Sequence, residues 1–237
     1  MASEEKVHEI FETIASDYDK MNTIISVGQH ARWRKEVLCE LQKNLAKEGK
    51  MLENLETLDL CCGTGDWTFD LASQGATVTG LDFSEKMLSV ARSRVAENET
   101  IQFQQGDAMA LPFSDGMFDV VTIAYGLRNV PDYRKTLEEI KRVLRPQGMV
   151  VSFDTSHPTN PLYRPVFEFY FKHVMPFLAR LFSRHYTEYV YLHDSAASFP
   201  DAKSLQKDFE EVGFEDVYYH YYSGGAVAAH FAKRINL

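Results

Sequence analysis

The stretch LDLCCGTGDWT, residues 58–68, decides the fold. It begins inside LETLDL, residues 55–60, a short apolar run that predicts a buried strand. A Gly-Thr-Gly turn follows, and residues 66–75 are then predicted to form a short helix that ends at Gly75. A strand, a glycine turn and a helix in this order place bare backbone amides at the amino end of a helix, where a negatively charged group binds favourably.

Two cysteines, Cys61 and Cys62, stand between this strand and the glycines. Adjacent cysteines rarely form a disulfide with each other, because the bond strains the backbone between them. A structural zinc site needs about four ligands, and Cys39 is the only further cysteine in the sequence. We therefore predict no metal site. We expect the pair to complete the first strand as small buried residues, one of them lining a ligand pocket.

Strands and helices alternate on both sides of this stretch. Further strands are predicted at 76–83, 100–108, 118–126 and 149–156, and two final strands within 214–234. Helices are predicted at 5–20, 30–47, 84–98 with Ser84 as N-cap, 132–148 ended by Pro146 and Gly148, and Asp201–Val212 with Asp201 as N-cap. The alternation is typical of an α/β fold with a parallel sheet covered on both faces.

The composition bounds the classes of function. The chain has 237 residues and is 45% hydrophobic, which suffices for a sizeable core, and its formal net charge is −9. This acidic balance disfavours nucleic acid as a partner, since nucleic-acid-binding proteins carry a basic footprint. No long uncharged apolar run predicts a transmembrane helix. The polar start MASEEKVHEIFE and the few cysteines favour a cytoplasmic location.

No internal repeat or linker divides the chain, so we predict a single domain over residues 1–237. Residues 1–48 form a helical cap at its amino end in this interpretation. Residues 157–200 form a helical, aromatic insertion, in which Arg164, Lys172, Arg180 and Arg184 stand against Glu168 within 160–186. Aromatic and basic residues together suit a membrane interface, and a pair of core-facing helices is the alternative.

Two carboxylates follow the next two predicted strands. Asp82 lies 19 residues after Gly63, close to the ~20-residue spacing of an acid that binds ribose hydroxyls, and Asp107 follows the third strand. In a doubly wound sheet these strand ends meet in one crevice. Acids for a ribose and an adenine, with amides for a carboxylate, suit S-adenosylmethionine. The alternatives are turn and capping chemistry for Asp82 and an ordinary loop acid for Asp107.

Several stretches together resemble a known family. They are VHEIFETIASDYDKMNTIISVGQHARWRKEV (7–37), LDLCCGTGDWT (58–68), LDFSEKML (81–88), GDAMALPFSDGMFDVVTIAYGLRNVPD (106–132) and LRPQGMV (144–150). On these residues the chain resembles the quinone-biosynthesis C-methyltransferases over nearly its whole length. The first stretch and GLRNVPD are specific to that family, whereas the glycine loop alone indicates only a class I methyltransferase.

This resemblance implies a fold and a cofactor. It implies a three-layer Rossmann-like class I methyltransferase, with a seven-stranded, mostly parallel sheet whose last strand is antiparallel, and S-adenosylmethionine as methyl donor without a metal. The implied cofactor contacts are Tyr18, Gly63, Thr64, Gly65, Asp82, Phe83, Met87, Asp107, Ala108 and Ala124. The family often has Asn at the position of Asp107, where Asp keeps an acceptor for an adenine amino group.

The candidate catalytic residues follow the fourth and fifth strands. Arg128 lies just past strand four, beside the crevice, and we assign it stabilisation of a phenolate oxygen or proton removal through water. Asn129 is expected to orient the same oxygen, and Asp154 to accept a proton. The alternatives are a surface salt bridge for Arg128 and simple packing for Tyr18. For His157 we favour an exposed loop residue over a catalytic role.

The resemblance also implies the acceptor and the location. The implied reaction converts demethylmenaquinol, a polyprenyl naphthoquinol, to menaquinol in the last step of menaquinone biosynthesis. A benzoquinol of the ubiquinone branch, or another phenol, is the alternative acceptor. A non-enzymatic scaffold that binds S-adenosylmethionine within a quinone-synthesis complex is the alternative from another class. We expect a cytoplasmic protein with weak peripheral membrane contact, and a homodimer is left open.

Overall fold

The computed structural model describes residues 4–15, 18–96, 100–158, 161–162, 164–174, 195–196 and 198–235. Strands lie at β1 (Glu56–Leu60), β2 (Thr77–Asp82), β3 (Ile101–Gln105), β4 (Phe118–Ala124), β5 (Leu144–Thr155), β6 (Glu215–Tyr222) and β7 (Val227–Lys233). Helices lie at α1 (Glu4–Ile14), α2 (Tyr18–Ile25), α3 (Gln29–Lys47), α4 (Asp66–Ala72), α5 (Glu85–Ser93), α6 (Tyr133–Val143), α7 (Arg164–Phe169) and α8 (Ala202–Val212).

The strands form one seven-stranded sheet in the order β3-β2-β1-β4-β5-β7-β6. β1 pairs in parallel with β2 and β4, and the ladder continues in parallel to β3 and β5. β7 runs antiparallel to both β5 and β6, which confirms the predicted sheet with an antiparallel last strand. The strand order reverses between β1 and β4. The carboxyl ends of these two strands therefore form the crevice where such sheets bind their ligands.

Helices cover both faces of the sheet, so the fold has the predicted three layers. On one face, Leu41 of α3 and Trp67 of α4 share a core with Phe153 of β5. On the other face, Ile140 of α6 and Phe209 of α8 share a core with the central strands. Because buried apolar side chains contribute roughly 1.5–3 kcal/mol each, these two layers fix the strand ends in place.

The predicted helix at 5–20 is wrong in one respect, since α1 ends at Ile14 and α2 begins at Tyr18. The two helices bind different elements. Glu12 of α1 accepts a hydrogen bond from the Ser84 hydroxyl (2.7 Å), and Asp19 of α2 accepts one from the Thr64 hydroxyl (2.6 Å). The apolar period runs through both segments, so the sequence pattern did not show the break.

The predicted helix at 132–148 is also too long. α6 ends at Val143, and Leu144 is already extended and pairs with Phe118 of β4. The reason is Pro146, which disfavours a helical conformation of the residue before it. Pro146 and Gly148 thus lie at the start of β5, where the register with β4 shifts. The predicted N-caps are confirmed: Ser84 accepts from the Met87 amide and Asp201 from the Ser204 amide.

The insertion is described only in part. α7 continues into a wide turn at Tyr170–Val174, and the Tyr170 hydroxyl donates to the carbonyl of Ile25 at the end of α2 (2.6 Å). Arg180 and Arg184 of the predicted aromatic and basic segment lie outside the described residues. Among the helices that the structure describes, none is both long and apolar enough to cross a membrane.

Candidate active site

Two adjacent cavities open at the crevice between β1 and β4. The larger has a volume of about 460 Å³ and the smaller about 90 Å³. Both cavities are lined by Tyr18, Cys61, Gly63, Ala124 and Tyr125. Because the two cavities share these lining residues, they lie side by side, and one ligand can occupy parts of both.

The shared wall is built by two tight turns, one after each central strand. Cys61 after β1 and Tyr125 after β4 both have left-handed backbones, with φ of 53° and 54°. The prediction that Cys61 and Cys62 complete the strand is wrong, because β1 ends at Leu60 and the turn begins at Cys61. Both thiols are free, burial raises their pKa, and Cys61 lines both cavities.

The smaller cavity collects most of the predicted cofactor contacts. Its lining includes Asp82, Phe83, Met87, Asp107 and Ala108. The Asp82 carboxylate accepts hydrogen bonds from the Gly63 and Ser84 amides, each at 2.9 Å, and so joins the glycine loop to the end of β2. Burial raises the pKa of Asp82 to about 6, although these amide bonds oppose the shift.

The amino-terminal helices close this cavity. Phe11 of α1 meets Phe83 edge-on at 6.0 Å between ring centroids and Tyr18 at 6.1 Å. Val7 and Phe11 line the smaller cavity. The cap is tied to the loop after β2 by Glu12. Burial alone would raise the pKa of Glu12, but the hydrogen bonds from Ser84 and the Lys86 amide together with the Lys86 charge lower it.

The glycine loop borders the larger cavity through Gly63 and Thr64, whereas Gly65 lines neither cavity. A β-carbon at Gly65 would lie 2.9 Å from the Phe69 ring, and its φ is 89°, so this position requires glycine for packing. Arg94 donates to the Thr64 carbonyl (2.8 Å) and pairs with Asp66 (2.7 Å). These contacts fix the loop from its outer side.

Arg128 lies in the wall of the larger cavity and pairs with Asp154. The two side chains are only 8% and 3% exposed, so the alternative of a surface salt bridge does not apply to Arg128. Burial alone would lower the pKa of Arg128, but the Asp154 carboxylate raises it above its ordinary value. Arg128 is therefore a fixed cation, and it also donates to the Tyr125 carbonyl (2.8 Å).

The other predicted catalytic residues have different positions. Asn129 lines the smaller cavity, and its amide donates to the Tyr125 carbonyl (3.0 Å). Asp154 lines neither cavity, because its carboxylate is occupied by Arg128 and by the Thr155 amide (2.7 Å). His157 is exposed and lies 3.1 Å from the Phe199 carbonyl, away from both cavities.

Several residues that line the larger cavity were not predicted from the sequence as site residues. They are Asn22, His30, Arg34, Asp59, Trp67 and Tyr125. Arg34 pairs with Asp66 (2.8 Å) and Asp70 (2.6 Å), which joins α3 to α4. Asp59 gave a usable signal, since an acid inside an apolar strand needs partners. The others gave none, because helical and loop residues enter this cavity only through the tertiary fold.

Asp59 is fully buried beneath the glycine loop. It accepts hydrogen bonds from the hydroxyls of Thr68 (2.6 Å) and Thr122 (3.1 Å). Burial nevertheless raises its pKa to about 7, because neither hydroxyl carries a charge that would offset the lost solvation.

This shift predicts how stability depends on pH. The folded protein holds the Asp59 proton more strongly than the unfolded chain, so the stabilisation by this group is full below about pH 4 and is lost as the pH rises through about 7. Between pH 5 and pH 8 we expect the stability of Asp59→Asn to rise relative to the wild type by roughly 3 kcal/mol, because the folded wild type holds the Asp59 proton over about two pH units of that range. Urea unfolding of the cofactor-free protein at both pH values measures this. A larger gain at pH 5 would contradict the assignment.

Comparison with known proteins identifies the family. The family model described as the ubiE/COQ5 methyltransferase family matches residues 1–234. The chain belongs to this family. It is 53% identical to a demethylmenaquinone methyltransferase of Lactococcus lactis subsp. lactis (strain IL1403), with 98% of this chain and 91% of the relative covered. A demethylmenaquinone methyltransferase of Staphylococcus aureus (strain JH9) is 45% identical, with 98% and 95% covered.

Solved structures show the same fold at lower identity. A SAM-dependent methyltransferase from Thermotoga maritima has a TM-score of 0.68 and 18% identity, covering 96% of this chain and 99% of that one. Haemonchus contortus phosphoethanolamine N-methyltransferase 2, solved with S-adenosyl-L-methionine, has a TM-score of 0.59 and 18% identity, covering 83% and 53%.

The methyltransferase uses S-adenosylmethionine, and the polar groups that line the two cavities fit this cofactor. A carboxylate at Asp82 is a suitable acceptor for two ribose hydroxyls. The bare loop of Gly63 and the amino end of α4 suit the carboxylate of the methionine part. Among the described residues, no cluster of three potential metal ligands was found.

Proposed function

We propose that this methyltransferase transfers the methyl group of S-adenosylmethionine to a ring carbon of demethylmenaquinol, which gives menaquinol in the last step of menaquinone biosynthesis. The names of the relatives support this acceptor. The observation that carries the proposal is the buried Arg128, a permanent cation in the wall of a cavity whose lining is otherwise rich in apolar residues. A quinol offers that cavity an aromatic ring with an ionisable hydroxyl.

The cofactor supplies an activated methyl group on a sulfonium, so the protein has to make the ring carbon nucleophilic. Loss of a phenolic proton places electron density on the adjacent ring carbon. That carbon takes the methyl group as the sulfur–methyl bond breaks and S-adenosylhomocysteine leaves, and it then loses its own proton so that the ring regains aromaticity. Arg128 stabilises that phenolate, and Asp154 and the Tyr125 carbonyl hold the guanidinium in place. An arginine stays protonated and so cannot itself accept the phenolic proton. In this proposal a water molecule takes that proton and passes it to solvent. Asn129 supports this arrangement from the smaller cavity, since its amide donates to the Tyr125 carbonyl (3.0 Å).

The cofactor contacts follow from the two cavities. Asp82 accepts hydrogen bonds from the ribose hydroxyls, and Asp107 accepts one from the adenine amino group. Phe83, Met87 and Ala108 enclose the adenine, and Ala124 lies beneath the ribose. The backbone of Gly63 and Thr64 faces the methionine part, with Gly65 shaping the loop. Tyr18, in the wall between the cavities, closes over the bound cofactor.

The domain organisation fits this division of labour. Residues 1–48 act as a cap on one methyltransferase domain, since α1 covers the smaller cavity and α2 binds the glycine loop. Residues 157–200 act as a substrate-side insertion, since Val166, Phe167 and Tyr170 line the larger cavity. The hydrogen bond from Tyr170 to Ile25 joins the insertion to the cap.

A label-transfer assay tests the function. Purified protein is mixed with tritiated S-adenosylmethionine and either a chemically reduced short-chain demethylmenaquinol, a matched benzoquinol or a simple naphthol. We expect label to enter the naphthoquinol with the highest kcat/KM. Preferred labelling of the benzoquinol or naphthol would reassign the acceptor. Tight S-adenosylhomocysteine binding with no label in any acceptor would favour the scaffold.

A weak contact with the membrane surface would suit an acceptor whose apolar prenyl tail lies in the bilayer. Near the mouth of the larger cavity, Val27, Val166 and Phe169 are 71%, 64% and 62% exposed, and Val27 and Val166 line that cavity. Arg164 and Lys172 add basic groups to the same segment. Exposed apolar side chains with basic neighbours bind anionic lipid surfaces. In this proposal the protein is cytoplasmic and binds the membrane surface transiently to take up its substrate.

We expect Phe169→Glu to reduce flotation with anionic liposomes at least threefold, because it replaces an inserting ring with a charge that the lipid repels. Met51→Glu is the matched control: Met51 is 70% exposed but lies before β1, at the opposite end of the strands. Equal flotation of both variants, or none by the wild type, would refute the contact. Sedimentation velocity on the same proteins tests the homodimer.

A further inference from the structure

Tyr125 has a backbone that holds the candidate catalytic residues. Its amide donates to the Phe153 carbonyl (2.8 Å), and its carbonyl accepts from the side chains of Arg128 (2.8 Å) and Asn129 (3.0 Å). Its φ of 54° is left-handed, a conformation that is unfavourable for an aromatic residue. The surrounding bonds maintain this strained turn at the reversal of strand order.

The side chain of Tyr125 is placed between the two cavities. It lines both of them, its ring packs edge-on against Phe153 at 5.1 Å, and the Arg128 guanidinium lies 5.7 Å from the ring centroid. The ring position is thus fixed by Phe153 behind it and by Arg128 beside it.

The hydroxyl of Tyr125 is buried, and it has no hydrogen-bond partner in the part of the chain that the structure describes. A buried polar group without a partner destabilises the fold, which indicates that the site has a use for it. Burial and the nearby Asp154 raise the pKa of this phenol, whereas Arg128 and Arg34 oppose the shift. The hydroxyl therefore remains a neutral donor at physiological pH. Nε of Arg128, in the same wall, is also buried and has no partner among the described residues.

We infer that Tyr125 is a further catalytic residue, whose hydroxyl donates a hydrogen bond to the phenolic oxygen of the acceptor and forms a two-donor oxyanion site with Arg128. This inference rests on the proposed function, since it takes the acceptor to be a quinol. Two buried donors stabilise the phenolate more than the neutral phenol, because charge-assisted hydrogen bonds are the stronger ones. The ring carbon then becomes nucleophilic at a lower pH than it would in water.

Tyr125→Phe removes only the hydroxyl. We expect kcat with the naphthoquinol to fall about 10- to 100-fold, with the S-adenosylhomocysteine affinity unchanged within about twofold. The free energy of unfolding should stay equal or rise, because the lost group had no partner. A purely structural tyrosine would instead lose stability. Tyr133→Phe is the control: its hydroxyl donates to Asp208 (2.8 Å), and it lines neither cavity.

A second measurement separates this inference from the proposed function. The absorbance of 1-naphthol, bound in the presence of S-adenosylhomocysteine, reports the pH at which the bound phenol ionises. We expect that pH to lie at least one unit higher in Tyr125→Phe than in the wild type or Tyr133→Phe. A wild type that labels no quinol but shows this difference overturns the proposed acceptor alone. Equal ionisation in the wild type and Tyr125→Phe, or no bound naphthol in either, overturns the inference.

Discussion

Arg128→Met is expected to lower kcat for methyl transfer about 10²- to 10³-fold while the affinity for S-adenosylhomocysteine changes less than about threefold. Methionine preserves the length and apolar stem of the side chain but removes the charge that stabilises the phenolate. The cofactor contacts lie mainly in the smaller cavity, which Arg128 does not line. Steady-state labelling of the naphthoquinol and calorimetric titration of S-adenosylhomocysteine measure the two quantities.

The same substitution has a structural cost that must be separated from catalysis. Arg128 is the charged partner of Asp154, which is 3% exposed, and an uncompensated buried charge costs about 3–5 kcal/mol. Adding Asp154→Asn to Arg128→Met removes the unpaired charge, and we expect it to restore most of the stability. Activity should remain low in the double variant. Recovery of kcat together with stability would mean that Arg128 serves the fold and not the reaction.

The features that the sequence predicted are local ones. The glycine turn, the strand and helix alternation and the Ser84 and Asp201 caps each depend on residues within a few positions of one another. The meeting of Asp82 with the glycine loop is long-range, but parallel strands with right-handed crossovers leave few other arrangements. Once a doubly wound parallel sheet was expected, the common edge for Asp82, Asp107 and Arg128 followed from it.

The features that the sequence did not predict depend on tertiary contacts. Asp154 lies at the carboxyl end of β5, where a free catalytic acid is expected, but its oxygens accept hydrogen bonds from Arg128, 26 residues earlier in the chain. Cys61 and Tyr125 have left-handed backbones although neither is a glycine, so the residue types at these two positions do not indicate that conformation. The early end of α6 had a local signal in Pro146, because a proline disfavours a helical conformation of the residue before it and helices commonly end ahead of that residue.

Asp82→Asn is expected to weaken S-adenosylhomocysteine binding by about 100-fold or more. Hydrogen bonds to a charged group contribute roughly 1.5–3 kcal/mol each, and two ribose hydroxyls would lose a carboxylate acceptor. Asp82 accepts hydrogen bonds from the backbone N–H groups of Gly63 and Ser84. The asparagine side chain would turn its NH₂ group toward one of these donors, which would disturb the loop. Asp107→Asn is the matched control, since an amide there keeps an acceptor oxygen, and we expect less than a threefold change.

The pH dependence of binding separates the charge of Asp82 from its shape. Burial raises the pKa of Asp82 to about 6 in the free protein, and bonds from ribose hydroxyls favour the ionised form. Wild-type affinity should therefore be constant above about pH 7 and fall up to tenfold per unit below pH 6. Asp59, with a pKa of about 7 that the Asp82 charge helps to raise, also titrates in this range, so Asp59→Asn is titrated beside the other two proteins. Calorimetric titration from pH 5 to 8 should give a flatter profile for Asp82→Asn. Parallel profiles would assign the pH dependence to Asp59 and remove Asp82 from the ribose.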